Sequence, residues 1–459
     1  MNPKLLFSTL LLSILTCAAA LCQVIPDPVK DSGVPSQVIS LKECLKLSVA
    51  NSPRLKISAL EQARLHYNYK ATIGGGLPQV NFSGSWDDFL HLPTSLIPGE
   101  FFGRPGEMIP VQFGTNFNIS GALDASQMLY NQTWLVALKM AKQMMQQNDL
   151  ATEKTEIEVV YDVAQSYYLA QITMQQIRNM HANLAKIGKA EKIAQSQWEN
   201  GLIKKIDLDR IVVQKLNMIT DIERLQVLYQ QELSMQKYFM GLAQEQPVSL
   251  DDSIPPSTFT PGPASDLNKH IDIRMIEKQK ELVSTNIRMD QSGYYPNLTL
   301  IGSMSYLNQS NTMYLYGKPT DWFNTSLVGL RLSVPVFTGM QRHYRVSQTR
   351  VELEKLKVNE EDARKLISIN SEDAARKLLN SIDAEKRQRD NMGLAERVYN
   401  ISQEQYQKGV IPLTDLLTAE TALSDAQANH TYALVQMKIS ELNYLKANGR
   451  LLEIVTNDK

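Results

Sequence analysis

The chain has 459 residues, 43% of them hydrophobic, and a formal net charge of −1. That length calls for more than one structural unit. The near-zero charge offers no field for nucleic acid, and the apolar fraction is far too low for a bundle of membrane helices.

The chain opens on MNPKLLFSTLLLSILTCAAALCQ, where Lys4 precedes an apolar run and small residues. This is the pattern of a secretory signal peptide. Residues 1–22 are read as that signal, with cleavage after Ala20 or Cys22, and residues 23–40 as an N-terminal extension. Thr16 and Leu21 precede Cys17 and Cys22, where a lipidation signal has Gly, Ala or Ser, which argues against a lipid anchor. Cys44 is then the cysteine that certainly remains, so no internal disulfide staples the fold. No later run reaches the ~18 apolar residues of a membrane-crossing helix. An exported chain of this kind is free in the periplasm, secreted, or set in the outer membrane through β-strands.

The remainder reads as a duplication. Gly201 and Gly409 lie 208 residues apart, as do Asp207 and Asp415, and Gly121 and Gly329, whereas Pro78 and Pro296 lie 218 apart. The surplus of the first copy falls in HLPTSLIPGEFFGRPGEMIP (91–110), an enlarged Pro- and Gly-rich loop. The copies span 41–244 and 266–450, joined by a Pro-rich linker at 245–265 and followed by a tail at 451–459. Each reads as helix, strand, loop, strand, very long helix, break, long helix.

Strands are expected at ~78–90, ~111–125, ~296–308 and ~323–336 from their period of two. Val80, Phe82 and Trp86 alternate with polar residues, and Val111, Phe113, Phe117, Ile119 and Leu123 do the same. Leu298, Leu300, Met304 and Tyr306 share one face, as do Val328, Leu330, Leu332 and Val334, with Arg331 opposite. Tyr294, Tyr295, Trp322 and Phe323 lie near strand ends, where an aromatic girdle would sit. A half-buried soluble sheet shows the same alternation, so the helices decide. From about Gln127 to Gln197 Gly188 is the only helix breaker, giving a helix of roughly 100 Å, too long for a compact globule. Val160, Val163, Tyr167, Ala170, Met174 and Ile177 form one heptad-like stripe. Leu416, Ala419, Leu423, Ala426, Ala433 and Met437 form another, with His430 on it as a packed polar residue. Charged outer faces such as RKLLNSIDAEKRQRDN (376–391) put these helices in water. Single-chain barrels need about eight strands, and open strand edges are not tolerated in lipid. Four membrane strands per chain therefore require several chains to share one barrel.

The long helices break in the same way twice, at QWENGLIKKIDLD (197–209) and QYQKGVIPLTDLL (405–417). Gly at the C′ position ends a helix, Pro412 suits the first turn of the next, and Asp207 and Asp415 suit a helix N-terminus. The glycines at 74–76 are a turn, because no Lys-Ser/Thr follows as in a phosphate loop. The six His do not cluster, the Met residues are packing, and no nucleophile motif or paired carboxylates appear. Neither an enzyme nor a cofactor nor a metal site is expected.

With the duplicated LPQVNFSGSW (77–86) and YPNLTLIGSM (295–304), PVFTG (335–339) entering a long helix, and the two Gly-to-Asp breaks, the chain resembles the TolC-type outer-membrane efflux protein family. The resemblance covers nearly the whole mature chain. It implies a mainly α fold with a β-barrel: a homotrimer giving four strands per protomer to a 12-stranded barrel in outer-membrane lipid, with a long periplasmic α-helical barrel. It implies a passive exit duct of a tripartite efflux or type I secretion system, working with a periplasmic adaptor and an inner-membrane pump. It places adaptor docking at Gly201, Leu202, Gly409 and Val410. A periplasmic gate would involve Tyr406 and Asp415, with Asp207 as first-repeat partner. Thr418 and Ile411 replace the second Asp and the basic residue of the best-known members, leaving one acidic ring. Arg331 is the candidate for tuning ion selectivity in the lumen. The alternative is a trimeric coiled-coil structural or adhesive surface protein, which would have no strand pairs embedded in a membrane.

Overall fold

The computed structural model describes residues 37–251, 254, 266–312 and 322–456. The expected signal peptide, Cys17 and Cys22 and most of the expected linker lie outside them.

A capping box opens the first helix. Ser40 Oγ accepts from the Glu43 amide at 3.3 Å, and the Glu43 carboxylate accepts from the Ser40 amide at 3.1 Å. Strand β1 (Gln37–Ile39) leads through this cap into α1 (Leu41–Asn51). Pro53 then starts α2 (Pro53–Gly74), where its missing amide costs nothing. Gly76 follows at a close approach: a Cβ there would lie 2.3 Å from the Trp134 ring, whose Nε1 donates to the Thr72 carbonyl at 2.7 Å.

Next come β2 (Gln79–Asp88), a small hairpin of β3 (Thr94–Pro98) and β4 (Met108–Gln112), and β5 (Phe117–Asn131). The sequence suggested an enlarged loop at 91–110 and one strand at ~111–125; both are corrected here. Residues 108–112 pair with 94–98 in their own sheet. Gly114, at φ +111°, breaks the chain before β5 begins. The alternation of apolar residues runs through Gly114, so period alone merges the two strands. Strand β5 also continues to Asn131, still paired with the second copy. Helix α3 (Gln132–Glu199) therefore starts later than Gln127. Its N-cap is Asn131, whose side chain accepts from the Trp134 amide at 3.1 Å.

Helix α4 (Lys205–Met240) runs back antiparallel to α3 and is followed by β6 (Val248–Leu250), parallel to β1. Residues 248–250, inside the Pro-rich segment expected to be a linker, form a strand with Val248 and Leu250 buried. The second copy contributes α5 (Ile271–Ser292), β7 (Asn297–Ser310), β8 (Trp322–Ser333), α6 (Gln341–Gln407) and α7 (Leu413–Ala447), and α8 (Glu453–Thr456) follows. With 68 residues in α3 and 67 in α6, each long helix reaches about 100 Å.

The helices pack along the two stripes read from the sequence. Val160, Val163, Tyr167, Ala170 and Ile177 are buried with Cys44, Leu45 and Met240 at the α1 end. Leu416, Ala419 and Leu423 are buried with Ile187, Ala190, Ala194, Ile211, Tyr399 and Tyr406 at the hairpin turns. The fold is mainly helical with one larger sheet, in the antiparallel order β2-β5-β7-β8.

Candidate functional site

The sheet has two unlike faces. Paired residues in antiparallel strands point the same way, so the register sorts them. Val80, Phe82 and Trp86 share a face with Ile119, Leu123, Leu298, Leu300, Met304, Tyr306, Val328, Leu330 and Leu332. Nothing among the described residues covers this face: Val328 is 84% exposed, Phe82 75% and Leu330 66%. The other face carries Ser85 against Ser120 at 2.8 Å, and Ser303 donating to Asp124 at 2.7 Å. Arg331 is on this polar face, opposite Thr299. Phe323 and Leu327 interrupt its polarity.

Aromatic residues mark both ends of the sheet. Trp86, Ile119, Asn308 and Trp322 form one row across the strands, and Trp86 stacks on Phe117 with ring centroids 6.4 Å apart. At the other end Tyr294 and Tyr295 precede β7, and Arg342 lies 5.8 Å from the Tyr294 ring. From Leu298 to Asn308 a strand rises about 34 Å. A tilt of ~40° makes that about 26 Å of height, the thickness of the apolar band of a membrane barrel at ~25 Å.

The two helical hairpins turn identically. Gly201 has φ +69° and Gly409 φ +72°, left-handed values that only Gly adopts without strain. The Leu202 amide donates to the Gln197 carbonyl at 2.8 Å and the Gly201 amide to Trp198 at 2.9 Å. In the second hairpin Val410 donates to Gln405 at 2.9 Å and Gly409 to Tyr406 at 3.0 Å. Both are Schellman closures, which satisfy the last carbonyls of a helix. Gly241 and Gly449 close α4 and α7 by the same pair of bonds, a match the sequence reading missed although their Gly spacing equals that of the turns. Leu202 and Val410 project from the turns, 74% and 69% exposed.

Pro412 is the N-cap of α7 rather than a first-turn residue, so Asp415 is the third helical residue, like Asp207 in α4. The expected gate residues lie in unlike surroundings. Tyr406 is buried, and its hydroxyl donates to Gln197 Oε1 at 3.0 Å, linking the two hairpins within one chain. Burial, and secondarily the charge of Asp207, push the Tyr406 phenol above its ordinary range. Asp207 also holds Arg210 at 3.0 Å. Asp415 is exposed at the tip.

Sequence reasoning missed the polar contacts deeper between the hairpins. Asn183 donates to Gln427 at 2.7 Å, and Gln214 donates to the buried carboxylate of Glu420 at 3.1 Å. Within the second hairpin, His430 Nε2 of α7 lies 3.2 Å from Glu385 Oε1 of α6. The intervals along α3, α4 and α7 carry no signal for the cross-hairpin pairs, because those depend on how one hairpin registers against the other. Among the described residues no group of His, Cys, Asp and Glu is arranged to hold a metal ion. Nor is any helix long and apolar enough to cross a membrane.

An amphipathic four-stranded sheet with a bare apolar face, carrying paired helical hairpins of this length, defines a component of an outer-membrane channel. A profile of the outer membrane efflux protein family matches residues 44–211 and 263–450, and the chain belongs to that family. It is 22% identical to the outer membrane protein TolC of Vibrio cholerae over 346 residues, 73% of this chain and 77% of that protein. The crystal structure of the Campylobacter jejuni CmeC outer membrane channel superposes with a TM-score of 0.70 at 14% identity, covering 94% of both chains. That of CusC, described for transmembrane channel formation, gives 0.70 at 17% identity, with 93% of this chain and 99% of the other covered. The family is one of passive channels, so this chain is an outer-membrane efflux protein and not an enzyme.

Proposed function

We propose that the chain is one third of a homotrimeric exit duct, with four strands per protomer in a shared 12-stranded barrel. The observation that carries this is the sheet: among the described residues its apolar face is bare and the outer edges of β2 and β8 are unpaired. Lipid accepts the face but not the edges, and pairing β8 of one copy with β2 of the next removes every edge. The polar face with Arg331 then lines the lumen, and the hairpins extend about 100 Å into the periplasm as a helical tube. A cleaved signal peptide delivers the chain there. A periplasmic adaptor docks on the exposed tips at Gly201, Leu202, Gly409 and Val410, and an inner-membrane pump supplies the energy. Tyr406, Asp207 and Asp415 form the periplasmic constriction, Tyr406 by tying the hairpins together through Gln197, and Asp207 and Asp415 by their charge near the tips.

The test is planar-bilayer conductance of the purified protein, with gel migration before and after heating. A heat-labile trimer that conducts is the expected result. A monomer with no conductance at any protein concentration would overturn the reading.

A further inference from the structure

Glu420 is the most deeply buried carboxylate among the described residues, at 2% exposure. It sits on α7 just inside the tip cluster. Its Oε2 accepts from Gln214 Nε2 of α4 at 3.1 Å, while its Oε1 is buried with no partner. No salt bridge reaches it among the described residues. The groups that bear on it electrostatically are Lys186 of α3, Tyr399 of α6 and Asp425 of its own helix. Lys186 is engaged with Tyr399, its Nζ 5.0 Å from the ring centroid.

A carboxylate with one neutral amide for company and one bare buried oxygen is a costly arrangement, and a neutral carboxyl costs far less. Water is the remedy for the charged form, and only separation of α4 from α7 admits it. We propose that Glu420 is a positioning residue of the periplasmic gate: its proton-bearing form lets α7 of the second hairpin stay packed against α4 of the first, and loss of that proton, which leaves a buried charge with one bare oxygen, favours their separation. The inference rests on the channel reading above for its effect on conduction, but the latch itself belongs to the single chain.

The neighbours agree in direction. Burial first, and then the charge of Asp425, raise the Glu420 carboxyl above its ordinary range, opposed by the Gln214 bond and Lys186. Burial, then Glu420, push the Tyr399 phenol up to about 12, so it stays neutral. A carboxyl raised in the packed state favours that state below its ordinary range. The advantage fades as pH rises through the raised value.

Two measurements on the full chain test this. Hydrogen exchange of the amides around 413–425, corrected for intrinsic rates, reads the latch without any pore. Protection is expected to fall by up to about tenfold per pH unit between the ordinary carboxyl range and the raised value and to level off above it, and Glu420→Gln, neutral at every pH, is expected to be flat. Gln214→Leu removes the bond to the ionised oxygen and is expected to move the transition to higher pH. Single-channel recording reads the gate: conductance is expected to rise with pH in the wild type and to stay at its low-pH level in Glu420→Gln. Equal pH profiles for wild type and Glu420→Gln in the exchange experiment would overturn the latch. A pH-dependent exchange profile lost in Glu420→Gln, with no pore at any pH, would keep the latch and remove the channel.

Discussion

Tyr406 and Asp415 flank the same turn, yet the fold sends one inward and leaves the other in water. Tyr406→Phe keeps the ring in the tip cluster and deletes one hydrogen bond to Gln197, worth about 0.5–1.5 kcal/mol. Faster amide exchange at both hairpin tips is expected, by about two- to tenfold; unchanged exchange would show that the hydroxyl does not tie the hairpins. Asp415→Ala removes no packing and only its charge at the start of α7, worth about 0.3–1 kcal/mol, so exchange should rise only slightly. Its effect should appear as weaker block of the pore by multivalent cations, measured in bilayers. Cys44 gives a third reading at this scale. Burial pushes its thiol up to about 12, and the thiol donates to Gln236 Oε1 at 3.0 Å. The thiolate is the reactive form, so maleimide at pH 7 should leave the native chain unlabelled and react only after unfolding. Rapid labelling of the native protein would contradict the packing of α1 on α4.

At the scale of the helix, the turn geometry and the stripe behind it make separable contributions. Gly409→Ala forces a side chain into a left-handed backbone at a cost of about 1–2 kcal/mol, although nothing crowds a Cβ there. Leu423→Ala leaves a cavity in the tip cluster, costing about 2–5 kcal/mol. Both should raise exchange in the second hairpin, the latter more; the reverse order would mean that the turn, not the cluster, holds the tip. These elements were legible because their signals are local. Long intervals with no Pro and a single Gly each, stripes at steps of three and four, and a Gly at each break are visible in the chain itself. Strand β6 was not legible, because three residues in a Pro-rich context become a strand only by lying beside β1, which is remote in sequence. Strands β4 and β5 were merged because apolar alternation says nothing about the backbone angle at Gly114. The Gln214–Glu420 contact was invisible for a related reason: it is a property of two hairpins in register, and neither helix shows it alone.

For the whole molecule the sheet is the deciding part, because on the proposed reading lipid covers its apolar face and other copies pair its edges. Leu330 and Arg331 are adjacent in β8 and point to opposite faces, so they separate the two surfaces with single substitutions. If the apolar face meets lipid, Leu330→Arg places a charge in hydrocarbon at a cost of about 2–4 kcal/mol near the midplane. Assembly of the heat-labile trimer in membranes should fall accordingly. Arg331→Ala should leave assembly intact, since the side chain is exposed on the polar face, and act on the current instead. Removing one positive charge per copy from the lumen wall favours cations, so the reversal potential in a salt gradient should move toward the cation equilibrium value. The shift should shrink at high salt, because the Debye length falls from about 10 Å at 0.1 M to about 3 Å at 1 M. An assembly defect from Arg331→Ala together with a selectivity change from Leu330→Arg would invert the two faces, and the polar side of the sheet would then be the one turned away from the pore.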